Sequence, residues 1–266
     1  MRYFDFRDNT FEKIDSNLST GGALLKGIVY IDGIKHYIKF ATFNSLFGFY
    51  GYEPIVEYIN CKIGKLLGIN VLEVEICETV IKLDGKTYNT YVSLTRDFVG
   101  DLKSISIEKL YDTIKLNNES VLDMIKRLGL QREVYKEFVY DYIICNMDRH
   151  GRNTELLIDK SGNIKLAPFF DNSLTPLITK SETAMLNFSK YYDDSKVNNF
   201  IGTLNLRDNI DLIDTDIEIN DINIDKNTLF DIVTNVSDVF MNYAVWLYNS
   251  RIKSLKEIGN KHIIFR

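Results

Sequence analysis

Cysteine is scarce in this 266-residue sequence, and the three cysteines, Cys61, Cys77 and Cys145, lie far apart. Their number is odd and no two have the Cys-x-x-Cys spacing, which argues against both a disulfide framework and a zinc site. Each cysteine stands among apolar residues. We therefore predict buried free thiols, as expected in a reducing compartment.

Long apolar runs and clusters of one charge are also lacking. No stretch approaches the roughly 18 apolar residues of a membrane-spanning helix, and the first residues contain no apolar segment typical of a secretory signal. The net charge of −5 and the scattered lysines and arginines predict neither direct nucleic-acid binding nor membrane binding. We expect a cytoplasmic protein, or an effector exported without a classical signal peptide.

Apolar residues, by contrast, are abundant. Hydrophobic residues make up 45% of the sequence and aromatic residues 12%, which is enough for a packed core and argues against a disordered chain. The length suits one large domain or two lobes.

Strand patterns dominate the first hundred residues. Two Asp-Gly pairs flanked by apolar runs predict two hairpins, with strands at 27–33, 35–42, 70–83 and 86–99. Between the hairpins, isoleucines at helical spacing predict a helix over residues 53–68, with Pro54 in its first turn.

Helical patterns dominate the remainder. Apolar residues at spacings of three and four predict helices over 118–128, 131–146 and 228–248, the last with Asn227 as its N-cap. A shorter hairpin is predicted from Glu155–Asp159 and Ile164–Phe169, and residues 207–225 are predicted to form a loop or a short strand.

A strand-rich lobe with one main helix, followed by a mostly helical lobe, is the layout of a bilobal protein kinase. We therefore predict an α+β, protein-kinase-like fold, with an N-lobe over residues 1–98 and a C-lobe over residues 99–266. A nucleotide would then lie in the cleft between the lobes.

Three polar residues follow the predicted helix 131–146 at a spacing that phosphotransferases use. The carboxylate of Asp148 suits the catalytic task of orienting a hydroxyl and accepting its proton. Asn153 and Asp171 flank the short hairpin, which brings its two ends together. Their side-chain oxygens are hard donors suited to Mg²⁺, so we predict that both bind the metal.

A lysine and a glutamate of the N-lobe are candidates for the nucleotide site. Lys39 lies between apolar neighbours in the second predicted strand and would contact the phosphates, although Lys35 on the same strand face competes with it. Glu57 in the predicted helix could pair with Lys39, and Glu53 is the other candidate for that role.

A small polar segment, Ser16–Gly22, precedes the first predicted strand. Its glycines, Gly21 and Gly22, let the backbone approach phosphates closely, and successive N–H groups including those of Ser19 and Thr20 can form an anion nest. The segment is not a Walker motif, but a kinase phosphate loop belongs at this position.

His150 follows Asp148 by two positions. It either holds the loop through backbone hydrogen bonds or orients Asp148. The sequence leaves both roles open, and we do not assign His150 as a general base.

Together these segments resemble the HipA-like serine/threonine kinases. The resemblance is carried by Ser16–Gly22, Ile38–Phe40, Leu67–Val71, Asn146–Asn153 and Ala167–Ser173, and it covers most of the chain. The short format is most similar to the compact members, the CtkA-like effector kinases and HipT-like toxins. Full-length HipA proteins carry an extra N-terminal subdomain, for which we expect no room before Ser16.

The resemblance implies an ATP- and Mg²⁺-dependent protein kinase with Asp148 catalytic, Asn153 and Asp171 on the metal, and Lys39 on the phosphates. The expected partners are a protein substrate with a Ser or Thr hydroxyl and a small antitoxin or regulatory protein. A toxin and a host-directed effector are both consistent with this reading.

The resemblance also implies an adenine site and a modified loop. Adenine would rest on the linker around Ser93–Asp97, which includes Leu94 and Thr95, where backbone groups can pair with its edge. In the family the segment before the first strand can be autophosphorylated, and Ser16 and Ser19 are the matching hydroxyls. A phosphate there adds about −1.5 to −2 charges and would repel bound nucleotide unless the loop moved.

Two alternatives stay open. The Asp-Arg-His-x-x-Asn string is also similar to the catalytic loop of phosphoinositide kinases, which work at membranes. A nucleotide-binding pseudokinase is the other alternative, since the expected polar residues could bind ATP without transferring phosphate.

Overall fold

The computed structural model describes residues 2–7, 24–44, 46–83, 85–187, 196–233 and 236–266. Within these residues the chain forms a β-rich N-lobe with one main helix and a mostly helical C-lobe. The predicted α+β, protein-kinase-like fold is thereby confirmed.

Among the described residues, one six-stranded sheet forms the N-lobe. Its strands are β1 (Arg2–Phe6), β2 (Leu24–Ile31), β3 (Ile34–Asn44), β4 (Gly48–Tyr50), β5 (Val74–Leu83) and β6 (Lys86–Arg96). They run in the order β1-β5-β6-β3-β2, with β4 paired to β3. The strand β1 is parallel to β5, and the other pairs are antiparallel.

The two predicted hairpins are confirmed, since β2 pairs with β3 and β5 pairs with β6. Asp32 and Gly33 have φ angles of 51° and 76°, and two residues with positive φ make the tight turn that twisted strands favour. Ile38 and Phe40 of β3 belong to a small core on one face of the sheet. Because side chains alternate along a strand, Lys39 lies on the opposite face.

The strand β5 begins at Val74 rather than at residue 70, because the preceding residues pair with the C-lobe. The Phe169 N–H donates to the Asn70 carbonyl at 3.0 Å, and the Leu72 N–H donates to the Phe169 carbonyl at 2.9 Å. This pairing ties the N-lobe to the segment that precedes Asp171.

The main N-lobe helix, α1 (Glu53–Leu66), begins with Pro54 in its first turn, as predicted. Gly68, with a φ of 74°, follows its end. Within the helix, Gly64 lies so close to Val71 that a Cβ added there would be 2.3 Å from the nearest Val71 methyl carbon. Glycine is therefore required for the helix to approach the next segment.

The C-lobe contains the helices α2 (Ile107–Ile114), α3 (Val121–Arg127), α4 (Gln131–Ile144), α5 (Pro176–Thr179), α6 (Glu182–Leu186), α7 (Leu206–Asp211), α8 (Lys226–Phe230) and α9 (Asp238–Ile258). The helix α4 is buried continuously from Glu137 to Ile144 and packs against α7 and α9. A helix buried on every side belongs at the centre of a core, and α4 leads directly into the Asp148 loop.

Short strands frame this loop. The predicted small hairpin is confirmed as β9 (Glu155–Ile158) and β10 (Ile164–Leu166), joined by β7 (Lys103–Ser106). The two-residue strands β8 (Asp148–Arg149) and β11 (Asn198–Asn199) pair in parallel, as do β12 (Ile217–Ile219) and β13 (Ile263–Phe265).

The predicted helix over residues 228–248 is wrong in its first half. The helix α8 ends at Phe230, and α9 begins only at Asp238, where the Ser237 hydroxyl caps it by accepting a hydrogen bond from the Phe240 N–H. The apolar spacing continues across this break because residues on both sides pack into one core.

Two neighbouring predictions also need correction. Asn227 lies inside α8, and Asp225 is the N-cap, accepting a hydrogen bond from the Thr228 N–H. Residues 207–225 contain the predicted short strand, β12, but they also contain most of α7. Asn205 starts that helix by accepting hydrogen bonds from two backbone N–H groups of its first turn.

No helix in the described ranges is long and apolar enough to span a membrane. Cys61, Cys77 and Cys145 are buried thiols that form no disulfide bond within the described ranges, as predicted.

We expect Gly64→Ala to destabilise the protein, although alanine is the better helix former by about 1 kcal/mol. The added methyl group would overlap Val71, and such overpacking costs about 1–3 kcal/mol. Urea unfolding measures the change in the free energy of unfolding. Lys65→Ala on the exposed side of the same helix is the control, with an expected change within about 0.5 kcal/mol. A stable Gly64→Ala variant would contradict the close approach.

Candidate active site

A cavity of about 290 Å³ opens between the N-lobe sheet and the segment that ends at Asp171. Lys39 and Glu57 contribute to its charged end, and Phe98 and Phe170 form an aromatic wall with ring centroids 5.5 Å apart. A second cavity, of about 300 Å³, is lined by aromatic and polar residues around β4 and β6, with no lysine or arginine among them. The first cavity is therefore the one that offers positive charge to a phosphate.

Lys39 is the centre of the charged end. Its ammonium donates to Glu57 Oε1 at 2.7 Å and to Asp171 Oδ1 at 2.9 Å. The competing Lys35 donates instead to the Tyr37 hydroxyl at 2.9 Å. The structure thus brings together the lysine, the helix glutamate and the later aspartate that the sequence singled out.

The three charges of this cluster depend on one another. Burial opposes the charge of Lys39, but the carboxylates of Asp171 and Glu57 outweigh it and raise the pKa of Lys39. The ammonium in turn lowers the pKa of Asp171, against the opposing effect of burial. Lys39 and Asp171 are therefore both charged at neutral pH. The cavity therefore has a cation and an anion side by side at its charged end.

Glu57 is held from two sides. Its side chain is 4% exposed, and Oε2 accepts a hydrogen bond from the Ser93 hydroxyl at 3.2 Å. The alternative glutamate, Glu53, is engaged by the Thr42 hydroxyl. Because a buried carboxylate is costly unless it is paired, the Ser93 hydroxyl and the Lys39 ammonium together keep Glu57 in place.

The three residues expected to contact adenine lie in β6. Thr95 lines the cavity, whereas Ser93 and Leu94 are buried within the sheet. All three pair with β3 on one side and with β5 on the other. Their backbone groups therefore belong to the sheet, and the linker residues that line the cavity beyond β6 are Phe98 and Val99.

The Asp148 loop begins where α4 ends, at Cys145, which has a φ of 55°. The Asn146 amide donates to Asp141 Oδ1 at 3.0 Å, and its oxygen accepts the Asp148 N–H at 3.2 Å. Asn153 Nδ2 donates to the Asp148 carbonyl at 3.0 Å. The five-residue spacing seen in the sequence therefore closes a loop that sets Asn153 beside Asp148.

Arg149 lies buried beneath this loop, with 1% of its side chain exposed. Its guanidinium donates to both carboxylate oxygens of Asp141, at 3.0 and 2.7 Å. Glu137 Oε1 lies 3.3 Å from the same guanidinium and accepts the Thr154 hydroxyl at 2.9 Å. Burial raises the pKa of Glu137, against the opposing charge of Arg149, so Asp141 is the principal counter-charge.

The remaining donors of Arg149 reach the two halves of the candidate metal site. The guanidinium donates to the Asn153 carbonyl at 3.2 Å and to the Phe170 carbonyl at 3.0 Å. It also donates to Asn172 Oδ1 at 2.7 Å. Since Phe170 and Asn172 flank Asp171, one arginine fixes the backbone around both candidate metal ligands.

The chemistry of Asn153 and Asp171 suits Mg²⁺. Asp171 is ionised, and its φ of 55° is uncommon for a residue other than glycine. The side-chain amide of Asn153 uses its Nδ2 to donate to the Asp148 carbonyl. This contact leaves the side-chain oxygen of Asn153 available to a metal. Mg²⁺ takes few protein ligands and prefers such oxygens. The part of the chain that the structure describes has no group of three or more His, Cys, Asp or Glu residues that could hold a metal ion.

His150 lies beside Asp148 without bonding to it. Its Nε2 is 3.9 Å from Asp148 Oδ2, which is too far for a hydrogen bond. Its Nδ1 accepts the Arg152 N–H at 3.2 Å. The contact observed for His150 is therefore one that holds the loop.

Sequence reasoning missed two polar residues of the site. Asn198 Nδ2 donates to Asp148 Oδ1 at 2.9 Å. Lys26 lines the cavity opposite Lys39 in the β2–β3 pair. No motif marks either residue, because strand pairing brings both to the site. The predicted phosphate loop Ser16–Gly22, with its hydroxyls Ser16 and Ser19, lies outside the described residues.

The fold and the lysine–carboxylate cluster define a kinase-like protein. The model of the HipA-like C-terminal domain matches residues 18–238, so the chain belongs to that family. The resemblance drawn from the sequence is confirmed. No curated protein matches the chain in sequence.

Two solved structures show the same fold. The proinflammatory kinase CtkA of Helicobacter pylori is 16% identical, with a TM-score of 0.62 over 95% of this chain and 96% of that one. HipA of Shewanella oneidensis MR-1, solved with HipB and its operator DNA, is 13% identical, with a TM-score of 0.52 over 94% of this chain and 70% of that one. At these identities the likeness establishes the fold alone.

We expect Arg149→Met to lower the free energy of unfolding by about 3–5 kcal/mol, because it leaves the buried carboxylate of Asp141 uncompensated. Urea unfolding followed by circular dichroism measures the loss. Arg152→Met, at an exposed arginine of the same loop, is the matched control and should change stability by no more than about 0.5 kcal/mol. A loss for Arg149→Met as small as the control's would contradict the network.

Proposed function

We propose that the protein is an ATP- and Mg²⁺-dependent serine/threonine kinase. The observation that carries this proposal is the double contact of Lys39 with Glu57 and Asp171 at the charged end of the cavity. Arg149 links the loop that carries Asp148 and Asn153 to the Asp171 segment, because it donates to both the Asn153 and the Phe170 carbonyls. Phosphoryl transfer depends on positioning and on neutralising charge, and these are the tasks that such an arrangement can perform.

Each residue has a distinct part in the proposal. Lys39 contacts the phosphates of ATP, and Glu57 keeps its ammonium in position. Asn153 and Asp171 would hold Mg²⁺, which when bound supplies positive charge to the phosphates. His150 supports the loop.

The proposed reaction is a direct transfer. The Ser or Thr oxygen of the acceptor forms a bond to the γ-phosphorus while the bond between that phosphorus and the ADP oxygen breaks. The hydroxyl proton passes to the carboxylate of Asp148, which releases it to solvent after ADP and the phosphorylated acceptor have formed.

The aromatic wall suits the adenine ring. We propose that adenine lies against Phe98, Val99 and Phe170, with the Thr95 side chain at the edge of the cavity. Apolar and aromatic side chains with a few polar groups are typical of such sites. The expected contribution of Ser93 is indirect, through its hydrogen bond to Glu57.

The segment Ser16–Gly22 completes the proposal as a phosphate loop in which Ser19, Thr20, Gly21 and Gly22 contact ATP. Ser16 and Ser19 are the proposed autophosphorylation sites. Their support is the family and the position of the segment before β2.

The biological role proposed is that of a toxin or an effector acting on a protein substrate. CtkA is a proinflammatory kinase, and the Shewanella HipA structure contains HipB and operator DNA. For this chain we propose a small antitoxin or regulatory protein as a partner, with no direct contact to nucleic acid.

We expect Asp148→Asn to abolish phosphate transfer, with a loss of at least about 100-fold, because the variant lacks the proton acceptor. Transfer of label from γ-labelled ATP with Mg²⁺ to the protein itself and to dephosphorylated casein measures the rate. ATP binding and thermal stability should stay close to those of the parent. Asp101→Asn, at an exposed aspartate, is the control with unchanged activity. Full turnover by Asp148→Asn would refute the catalytic assignment.

We expect mass spectrometry of the labelled protein to find phosphate at Ser16 or Ser19, and the double variant Ser16→Ala with Ser19→Ala to lose that label. Ser161→Ala, in an exposed turn, is the control that keeps it. Label found only in added phosphoinositide vesicles would favour a lipid kinase. ATP binding without transfer to any acceptor would favour a pseudokinase.

A further inference from the structure

The strand β11 lies alongside the loop that carries Asp148. It pairs in parallel with β8, and this pairing sets Asn198 beside Asp148. The Asn198 N–H donates to the Met147 carbonyl at 3.0 Å, and the Phe200 N–H donates to the Arg149 carbonyl at 3.0 Å. These backbone bonds bring the Asn198 amide within reach of the Asp148 carboxylate. Its Nδ2 donates to Oδ1 at 2.9 Å.

The segment that carries Asn198 is itself firmly held. Asn199 is buried, and its side-chain oxygen accepts the N–H groups of the two residues after Phe200, at 3.0 and 2.8 Å. Phe200 packs so closely on the catalytic loop that a Cβ added at Gly151 would lie 2.8 Å from its ring. The side chain of Asn198 is exposed between these fixed neighbours. Its donor is therefore presented to Asp148 from a rigid support.

This contact distinguishes the two oxygens of the Asp148 carboxylate. Oδ1 accepts the Asn198 amide, whereas Oδ2 lies 3.9 Å from His150 Nε2 and accepts no hydrogen bond from it. A carboxylate held at one oxygen presents the other in a defined direction. Such orientation lowers the cost of reaching a reactive geometry.

We infer that Asn198 is a positioning residue for phosphoryl transfer, which orients Asp148 so that Oδ2 receives the proton of the acceptor hydroxyl. The inference rests on the proposed kinase function. Asn198 does not line the nucleotide cavity. Its loss should therefore slow the transfer step and leave the affinity for ATP unchanged.

A series of substitutions at Asn198 separates positioning from a structural role. We expect Asn198→Ala to lower kcat about tenfold, since hydrogen bonds to charged groups contribute on this scale, with an unchanged KM for ATP. Asn198→Ser retains a short hydrogen-bond donor, so its kcat should fall less than that of Asn198→Ala. Asn198→Asp keeps the size of the side chain but opposes one carboxylate with another, so it should lose more than Asn198→Ala. If Asn198 had only a structural role, the isosteric Asn198→Asp variant would instead lose the least kcat of the three.

The rates are measured with γ-labelled ATP and Mg²⁺, using dephosphorylated casein and the chain itself as acceptors. Asn117→Ala, at an exposed asparagine distant in sequence, is the matched control. Melting temperatures within about 2 °C of the parent show that folding is preserved. Parent-like kcat for all three Asn198 variants, or a KM for ATP that rises with kcat unchanged, would overturn the inference.

The failure of the inference and the failure of the proposed function give different results. An inactive Asp148→Asn variant together with fully active Asn198 variants refutes the positioning role alone. Full activity of Asp148→Asn, or a parent protein without any transfer, refutes the kinase assignment and the inference with it.

Discussion

The geometry of the site depends on one buried cation, the guanidinium of Arg149. Its donors end on the carboxylate of Asp141 in the central helix, on the carbonyl of Asn153, and on the backbone and side chain that flank Asp171. The Asp148 loop and the Asp171 segment would otherwise be two independent loops joined by a hairpin. With the guanidinium between them they share one set of hydrogen bonds, so neither can shift without breaking the other's contacts.

Stability alone does not explain why a charge is buried here. Replacing a buried ion pair by well-packed apolar residues is often neutral or stabilising, but apolar residues cannot donate hydrogen bonds in fixed directions. The planar fork of Arg149 serves a carboxylate on one side and two loop carbonyls on the other. We interpret the network as the means by which a helix buried on every side fixes the positions of two polar loops.

Local signals in the sequence predicted much of this architecture, and contacts between distant segments account for what they missed. The Asp32-Gly33 turn and the continuous helical pattern of α4 depend on neighbouring residues, and both were predicted. The β1 strand and Asn198 depend on pairing with segments 75 and 50 residues away, which no local pattern records. The sequence pattern predicted too early a beginning for α9, because Val233 is buried like a helix residue although it lies before the N-cap Ser237. For the site, the predicted hairpin placed Asn153 near Asp171, but the sequence left the choice between Lys35 and Lys39 open and did not predict the contact between Lys39 and Asp171.

The charge balance of the cluster bears on how a nucleotide would enter. Lys39, Glu57 and Asp171 together carry one net negative charge, and Asp171 already occupies one side of the lysine. A triphosphate would therefore have to compete with a carboxylate for the same ammonium. Lys26 and Glu155 also line the cavity, so Lys26 does not give the cavity a net positive charge. The cluster thus attracts a polyanion weakly unless a divalent cation accompanies it and takes Asp171 as a ligand. We therefore expect Glu57 to stay with Lys39 and Asp171 to be the partner exchanged on binding, which agrees with the proposed dependence on Mg²⁺.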